Sequence, residues 1–130
     1  MTKTGIAQKA VIFNKEGKLL AIRRSNTDPH RPLTWDLPGG DLEVNEDPRE
    51  GMLREIQEEV AIEVRNLKVL DVTSRRNDKN ELWIGISYTA EAATTDVVLS
   101  YEHDQFEWLT KEEFLARESS EKLRKTVVSA

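Results

Sequence analysis

The sequence predicts a layered α/β or α+β domain built on a mixed β-sheet, and three observations carry that reading. Short apolar runs bounded by turn residues alternate with two capped helix starts. The chain has 130 residues, a length that suits one domain whose core buries about two thirds of the unfolded surface. No repeat or low-complexity segment interrupts it.

Ala10 to Phe13 and Leu19 to Arg24 are apolar-rich runs around the turn-like Asn14-Lys15-Glu16-Gly17, which predicts a hairpin. Ser25 to Leu33 holds Pro29 and Pro32 without any period, so a loop is expected there, leading into the short segment Trp35-Asp36-Leu37. Pro38-Gly39-Gly40 is then expected to break regular structure. Asp47, followed by Pro48 and Glu50, has the form of a helix start: a capping carboxylate, proline at the first helical position, glutamate at the third. That helix is predicted to run to about Val60. Val64 to Thr73 and Leu82 to Thr89 read as strands flanking the turn Asn77-Asp78-Lys79-Asn80, and Phe106 to Leu109 reads as another. Thr110 and Glu113 form a capping box that opens a second helix with Phe114 and Leu115 on its inner face.

With 38% hydrophobic and 33% charged residues, the composition is that of a soluble globular protein. No stretch approaches the roughly 20 apolar residues that cross a bilayer, and Met1 to Gly5 lacks the basic and apolar regions of a signal peptide. The expected location is therefore cytoplasmic, without membrane association. Absence of cysteine excludes thiolate catalysis and Cys-ligated zinc, so any metal is held by oxygen or histidine. The net charge of −5 argues against binding a nucleic-acid backbone. It does not exclude a phosphorylated small molecule, which meets local arginines and a metal ion.

The acidic residues between Gly40 and Ile62 fall at informative spacings. On a helix Glu58 lies at about −60° and Glu59 at about +40° from Glu55, so three carboxylates share one stripe. Met52, Leu53, Ile56 and Val60 occupy the adjoining arc, which is expected to be buried. Three like charges at i, i+3 and i+4 repel, and Arg54, four residues before Glu58, offsets only part of that. A hard divalent cation is the natural counterion, because Mg²⁺ prefers carboxylate and carbonyl oxygens and keeps positions open for water and phosphate. Gly51 falls within the same stripe, at a helix-propensity cost of about 1 kcal/mol relative to alanine, which implies that the space there is used.

These residues resemble the Nudix box, G-x5-E-x7-R-E-U-x-E-E-x-G-U with U a bulky aliphatic. Gly40, Glu46, Arg54, Glu55, Ile56, Glu58, Glu59 and Ile62 match it, and Trp35-Asp36-Leu37-Pro38-Gly39-Gly40 resembles the segment that leads into it. Ala61 stands where the family has glycine, so the helix end is the one point of the box that departs. The resemblance implies an α+β fold, an α/β/α sandwich whose Nudix-type mixed sheet packs between helices, as a single domain over residues 1–130. It also implies a magnesium-dependent hydrolase, with Mn²⁺ able to substitute, acting on a small-molecule nucleoside polyphosphate.

By similarity to the family, Glu55, Glu58 and Glu59 bind metal with the Gly39 carbonyl as a further ligand, and either Glu55 or a later loop carboxylate activates water. Glu102, six residues before Trp108 as in MutT-like members, is the loop candidate as both ligand and base. Arg54 is expected to orient Glu55, and Glu46 to brace Arg54. For the substrate, Gly40 and one of Arg23 and Arg24 are the phosphate candidates, Arg23 being favoured, with Asp104 and Gln105 as the pair to test for base recognition. Trp35, Trp108, Phe106 and Tyr101 are expected in the core rather than on a base, and His30 and His103 on the surface.

Subfamily features narrow the substrate by elimination. Members cleaving ADP-ribose tend to carry a proline beyond the box and those cleaving dinucleoside polyphosphates a tyrosine; here Asn77 to Asn80 fill that region and no proline follows Pro48. This leaves the MutT-like class, cleaving nucleoside or deoxynucleoside triphosphates, oxidised ones included, to monophosphate and pyrophosphate. The alternatives are an ADP-ribose or nucleotide-sugar pyrophosphatase and a sensing module that binds without turnover. An RNA-end hydrolase would be expected to carry a basic track. Monomer and homodimer are both compatible with the sequence.

Overall fold

Alternation along two central strands decides which layer each side chain joins. In β1 (Thr4–Phe13) and β2 (Leu19–Arg24), Ala10, Ile12, Leu20 and Ile22 face one way and pack with Met52, Ile56 and Val60 of α1 (Pro48–Val60). Val11, Leu19 and Ala21 face the other way and meet Phe114 of α2 (Lys111–Leu115) and Leu123 and Val127 of α3 (Glu121–Ser129). A sheet apolar on both faces has to be covered on both, and the result is an α/β/α sandwich. The computed structural model describes residues 4–130, so the leader-free start expected at Met1 to Gly5 lies largely outside the described residues.

Four further strands complete the sheet: β3 (Trp35–Asp36), β5 (Val64–Arg76), β6 (Leu82–Ala92) and β7 (His103–Leu109), joined by the three-residue β4 (Gly39–Asp41). The order runs β3-β2-β1-β6-β5, with β4 pairing β1 and β7 pairing β2. β1 and β6 are parallel, in register from Thr4↔Leu82 to Phe13↔Glu91, while the other pairs are antiparallel. The sheet is therefore mixed.

Several elements differ from the sequence reading. β1 begins at Thr4 rather than Ala10, because Ala7, Gln8 and Lys9 pair with Gly39 to Asp41. Of the Pro38-Gly39-Gly40 segment, expected to break structure, Pro38 is a bend while Gly39 and Gly40 open β4; Gly39 takes φ +153°, and a Cβ there would fall 1.9 Å from the Gln8 carbonyl oxygen. β7 begins at His103 rather than Phe106, paired to β2 around a bulge at Arg23/Arg24. α3 was not expected, although Ser120 caps it by accepting from the Leu123 N–H.

Side-chain placement also needs correction. Leu53 is 44% exposed at the far edge of its arc, and Leu115 is only half-buried. Of the aromatic residues assigned to the core, Trp35 is buried and Trp108 half-buried, whereas Phe106 and Tyr101 are exposed, Tyr101 at 89%. α1 ends at Ala61, whose N–H donates to the Ile56 and Gln57 carbonyls at φ 55°, ψ 36°. The helix therefore stops where the box places glycine. Its start is tied to the sheet by a buried relay: Tyr88 Oη donates to Gln8 Oε1 at 2.6 Å, and Gln8 Nε2 donates to the Pro48 carbonyl at 3.1 Å.

Candidate active site

The stripe angles on α1 account for how its three glutamates differ. Glu59, nearest the apolar arc, is buried, Glu55 keeps a side chain 14% exposed, and Glu58, on the far side, is 59% exposed. Burial pushes the Glu59 carboxyl up to about 7 against the pull of Lys9 and of the Gly39 N–H, which donates to Glu59 Oε1 at 2.7 Å. Burial also raises Glu55; Arg54 opposes it, while Glu58 and Glu102 add to it. A cationic partner would relieve this arrangement.

Arg54 is the organiser of the exposed side. Its guanidinium donates to Glu46 at 2.6 and 3.0 Å and to Glu58 at 3.2 Å, and lies 3.1 Å from Glu55 Oε1. The bidentate bond to Arg54 is the main reason Glu46 falls to about 2, and it raises Arg54 in turn. A Cβ on Gly51 would strike Leu42 and the Glu46 carboxylate. The space at Gly51 therefore serves the Glu46–Arg54 brace rather than the cluster itself. At Gly40 the neighbour is Glu55, whose carboxyl atoms would all lie 2.7 Å from an added Cβ.

Beneath the glutamates lies a buried ionic hub that the sequence reading did not assign. Asp36 pairs with Lys9 at 3.0 Å and Arg24 at 3.2 Å and accepts from the Leu37 N–H at 2.8 Å. Although burial alone would raise it, Lys9, His103 and Arg24 together hold its carboxyl well below the usual range. His103, expected on the surface, is buried, with Nε2 3.7 Å from Asp36 Oδ2. It opens β7 opposite Arg24 of β2, beyond the bulge. The legible signal was its adjacency to Glu102 on a strand edge; lack of metal-like spacing spoke only to zinc. His30 is exposed, as expected.

One cavity of about 610 Å³ is lined by Gly39, Gly40, Glu55, Glu58, Glu59 and Glu102, together with Arg54, Lys9, Arg24, Asp36 and His103. Glu102, about forty residues beyond the end of α1 in sequence, thus reaches the same concavity. A second cavity of about 280 Å³ lies between α3 and strands β5 and β6, and shares Ala7, Lys9, Arg24 and Asp36 with the first. Arg23 donates twice to Asp104, at 2.9 and 3.0 Å, and neither of them nor Gln105 lines either cavity. Arg24 does.

The donor set fits a hard divalent cation, since every candidate ligand is an oxygen and Glu55, Glu58, Glu59 and Glu102 line one cavity. Among the described residues no three acidic or imidazole groups already converge at ligand distances. Glu58 is held instead by Arg54, whose swing would free it.

Comparison with known proteins agrees with this geometry. The NUDIX domain family model matches residues 3–129. A MutT-like protein of Streptomyces ambofaciens is 30% identical over 112 residues, covering 86% of this chain and 68% of that protein. An 8-oxo-dGTP diphosphatase of Proteus vulgaris is 48% identical over 64 residues, 49% of this chain and 56% of that one. An RNA pyrophosphohydrolase of Acidiphilium cryptum is 39% identical over 51 residues, 39% of this chain and 31% of that one. The matches thus span from about a third to two thirds of these relatives. The crystal structure of a MutT protein from Methanosarcina mazei superposes with a TM-score of 0.82 at 29% identity, covering 98% of this chain and 92% of that one. With the box residues gathered at one cavity and the family's model running almost end to end, the chain belongs to the Nudix family and is a hydrolase of pyrophosphate bonds.

Proposed function

We propose that this enzyme is a magnesium-dependent pyrophosphohydrolase of nucleoside or deoxynucleoside triphosphates, oxidised ones included, with manganese able to replace magnesium. The observation that carries the reading is the meeting of Glu55, Glu58, Glu59 and Glu102 around Gly39 and Gly40 in one cavity. Bound magnesium would neutralise phosphate charge and acidify a coordinated water. Glu59, anchored by the Gly39 N–H, and Glu55, backed by Arg54, are the fixed ligands; Glu58 and Glu102 complete the set. Glu55 or Glu102 takes the proton of the attacking water, and the Gly39 carbonyl is a further ligand.

The two cavities divide the substrate. Phosphates belong with the carboxylates, and Lys9 and Arg24, where the cavities meet, stand ready for a phosphoryl oxygen. The nucleoside fits the smaller cavity, whose apolar wall is Leu70, Ile86 and Leu123, with Lys122 above Gly85 as its polar reach. Burial lowers the Lys122 pKa, and Arg75 and Lys9 act in the same sense. We propose that its ammonium donates to a base carbonyl. We propose that Arg23, Asp104 and Gln105 act at the rim of the site.

No helix among the described residues is long and apolar enough to cross a membrane, and we propose the cytoplasm as the working compartment and a small nucleotide as the partner. The test is magnesium-dependent turnover of nucleoside triphosphates, ADP-ribose, dinucleoside polyphosphates and 5′-triphosphate RNA, with products read by phosphorus NMR. Triphosphates should give the monophosphate and pyrophosphate. Release of orthophosphate alone, or turnover confined to ADP-ribose or RNA ends, would overturn the reading.

A further inference from the structure

Both ring nitrogens of His103 are buried and bonded to nothing among the described residues, although buried polar groups are almost always partnered. The side chain is 5% exposed and lines the acid cavity beside Glu102. Its Nε2 stands 3.7 Å from Asp36 Oδ2, beyond the hydrogen-bond range of about 2.7–3.2 Å. Ser100 Oγ, in the turn leading to Glu102, is buried and unbonded as well. Asp36, by contrast, is fixed by Lys9, Arg24 and the Leu37 N–H. It gathers β1, β2 and β3, and His103 is the one member of the hub whose bond is not closed.

Among the described residues the turn is held by backbone bonds: the Ser100 N–H donates to the Glu59 carbonyl at 3.1 Å, the His103 N–H to the Ser100 carbonyl at 3.3 Å and the Ser25 N–H to the Glu102 carbonyl at 3.0 Å. We propose that His103 is a positioning residue, whose open imidazole closes onto Asp36 when a cation occupies the acid cavity, and so clamps this turn and holds the Glu102 carboxylate over that cavity. The inference rests on the reading of Glu102 as a metal ligand or base. A histidine that merely filled space would be worse there than an apolar side chain of similar size, because an unpaired buried imidazole costs desolvation for no return. His103→Leu separates the two roles.

The experiment is a double-mutant cycle on His103→Leu and Glu102→Gln, read by Mn²⁺ affinity from electron paramagnetic resonance and by turnover of dGTP with magnesium. His103→Leu should melt no lower than wild type, yet weaken Mn²⁺ binding about tenfold, as Glu102→Gln does, since partners behind a ligand are worth about 10–100-fold. The double variant should bind Mn²⁺ no worse than either single one. kcat should fall with KM within about twofold, and His103→Gln, which keeps a donor, should recover most of it. Losses that multiply in the double variant, or wild-type Mn²⁺ affinity in His103→Leu, overturn the clamp. If Glu102→Gln alone leaves both readouts unchanged, the Glu102 reading fails first, and any loss in His103→Leu then belongs to another partner, which overturns the clamp too.

Discussion

Ala61 holds a conformation that the box reserves for glycine. At φ 55° and ψ 36° its Cβ crowds the carbonyl, which costs a non-glycine residue about 1–2 kcal/mol. Glycine loses more entropy on folding, so the net gain from Ala61→Gly should be about 0.5–1 kcal/mol, seen as a rise of a few degrees in melting temperature. A lower melting temperature would mean that the Ala61 methyl is packed rather than strained. Glu58 makes a different case, because its side chain is 59% exposed and, among the described residues, its ion-pair partner is Arg54. Glu58→Gln should leave the circular dichroism spectrum unchanged while kcat drops by at least about a hundredfold, for a metal ligand is lost and no packing is. Near wild-type turnover would move the chemistry off the stripe.

At the scale of elements, the legible features were those whose signal is local. Asp47-Pro48 and the glutamate spacing announced α1 and its acidic face, and Thr110 with Glu113 announced α2, because caps and stripes are written within one turn of helix. Three features were missed, two of them because they are not local. β4 exists because Gly39 to Asp41 pair with Ala7 to Lys9, and no window around Gly39 contains that partner. α3 needed only its Ser120 cap and Leu123 and Val127 one turn apart, a short pattern that the charged residues around it mask. His103 is buried because Asp36 waits for it from another strand. The pH response follows from one such contact. Glu59 protonates near 4.5 when unfolded and at about 7 in the fold. Between these values the metal-free folded state still holds a proton that the unfolded state has released, so stability falls as pH rises through this window and levels off above it. The loss is on the order of 3 kcal/mol at most. Glu46 and Asp36, whose carboxyls are lowered, act with the opposite sign and only at acid pH, stability being lost as pH falls toward their folded values. Denaturant melts of wild type and Glu59→Gln from pH 4 to 8 in chelator test this, and parallel curves would contradict it.

For the whole molecule, the sandwich places a buried carboxylate where a cation is needed, so metal-free stability is given up for a charged site. Magnesium should restore it. A ligand bound only by the folded state at a hundred times its dissociation constant adds about 2.7 kcal/mol, enough to raise the melting temperature by several degrees at constant ionic strength. Glu59→Gln keeps an oxygen to accept the Gly39 N–H and removes the buried charge, so at pH 8 in chelator it should melt above wild type. With magnesium it should gain less, and the order of the two proteins should narrow or reverse. Glu58→Gln provides the contrast. Its carboxylate is mostly exposed and paired with Arg54, and such a pair contributes between about 0 and 1 kcal/mol. This variant should melt close to wild type in chelator while also gaining less from magnesium. The three melting curves therefore distinguish burial from ligation: the chelator arm reads burial through Glu59 alone, and the magnesium arm reads ligation through both residues. Equal magnesium shifts in all three proteins would mean that the ion binds elsewhere, and the stripe would then be a structural face held by Arg54 and Glu46.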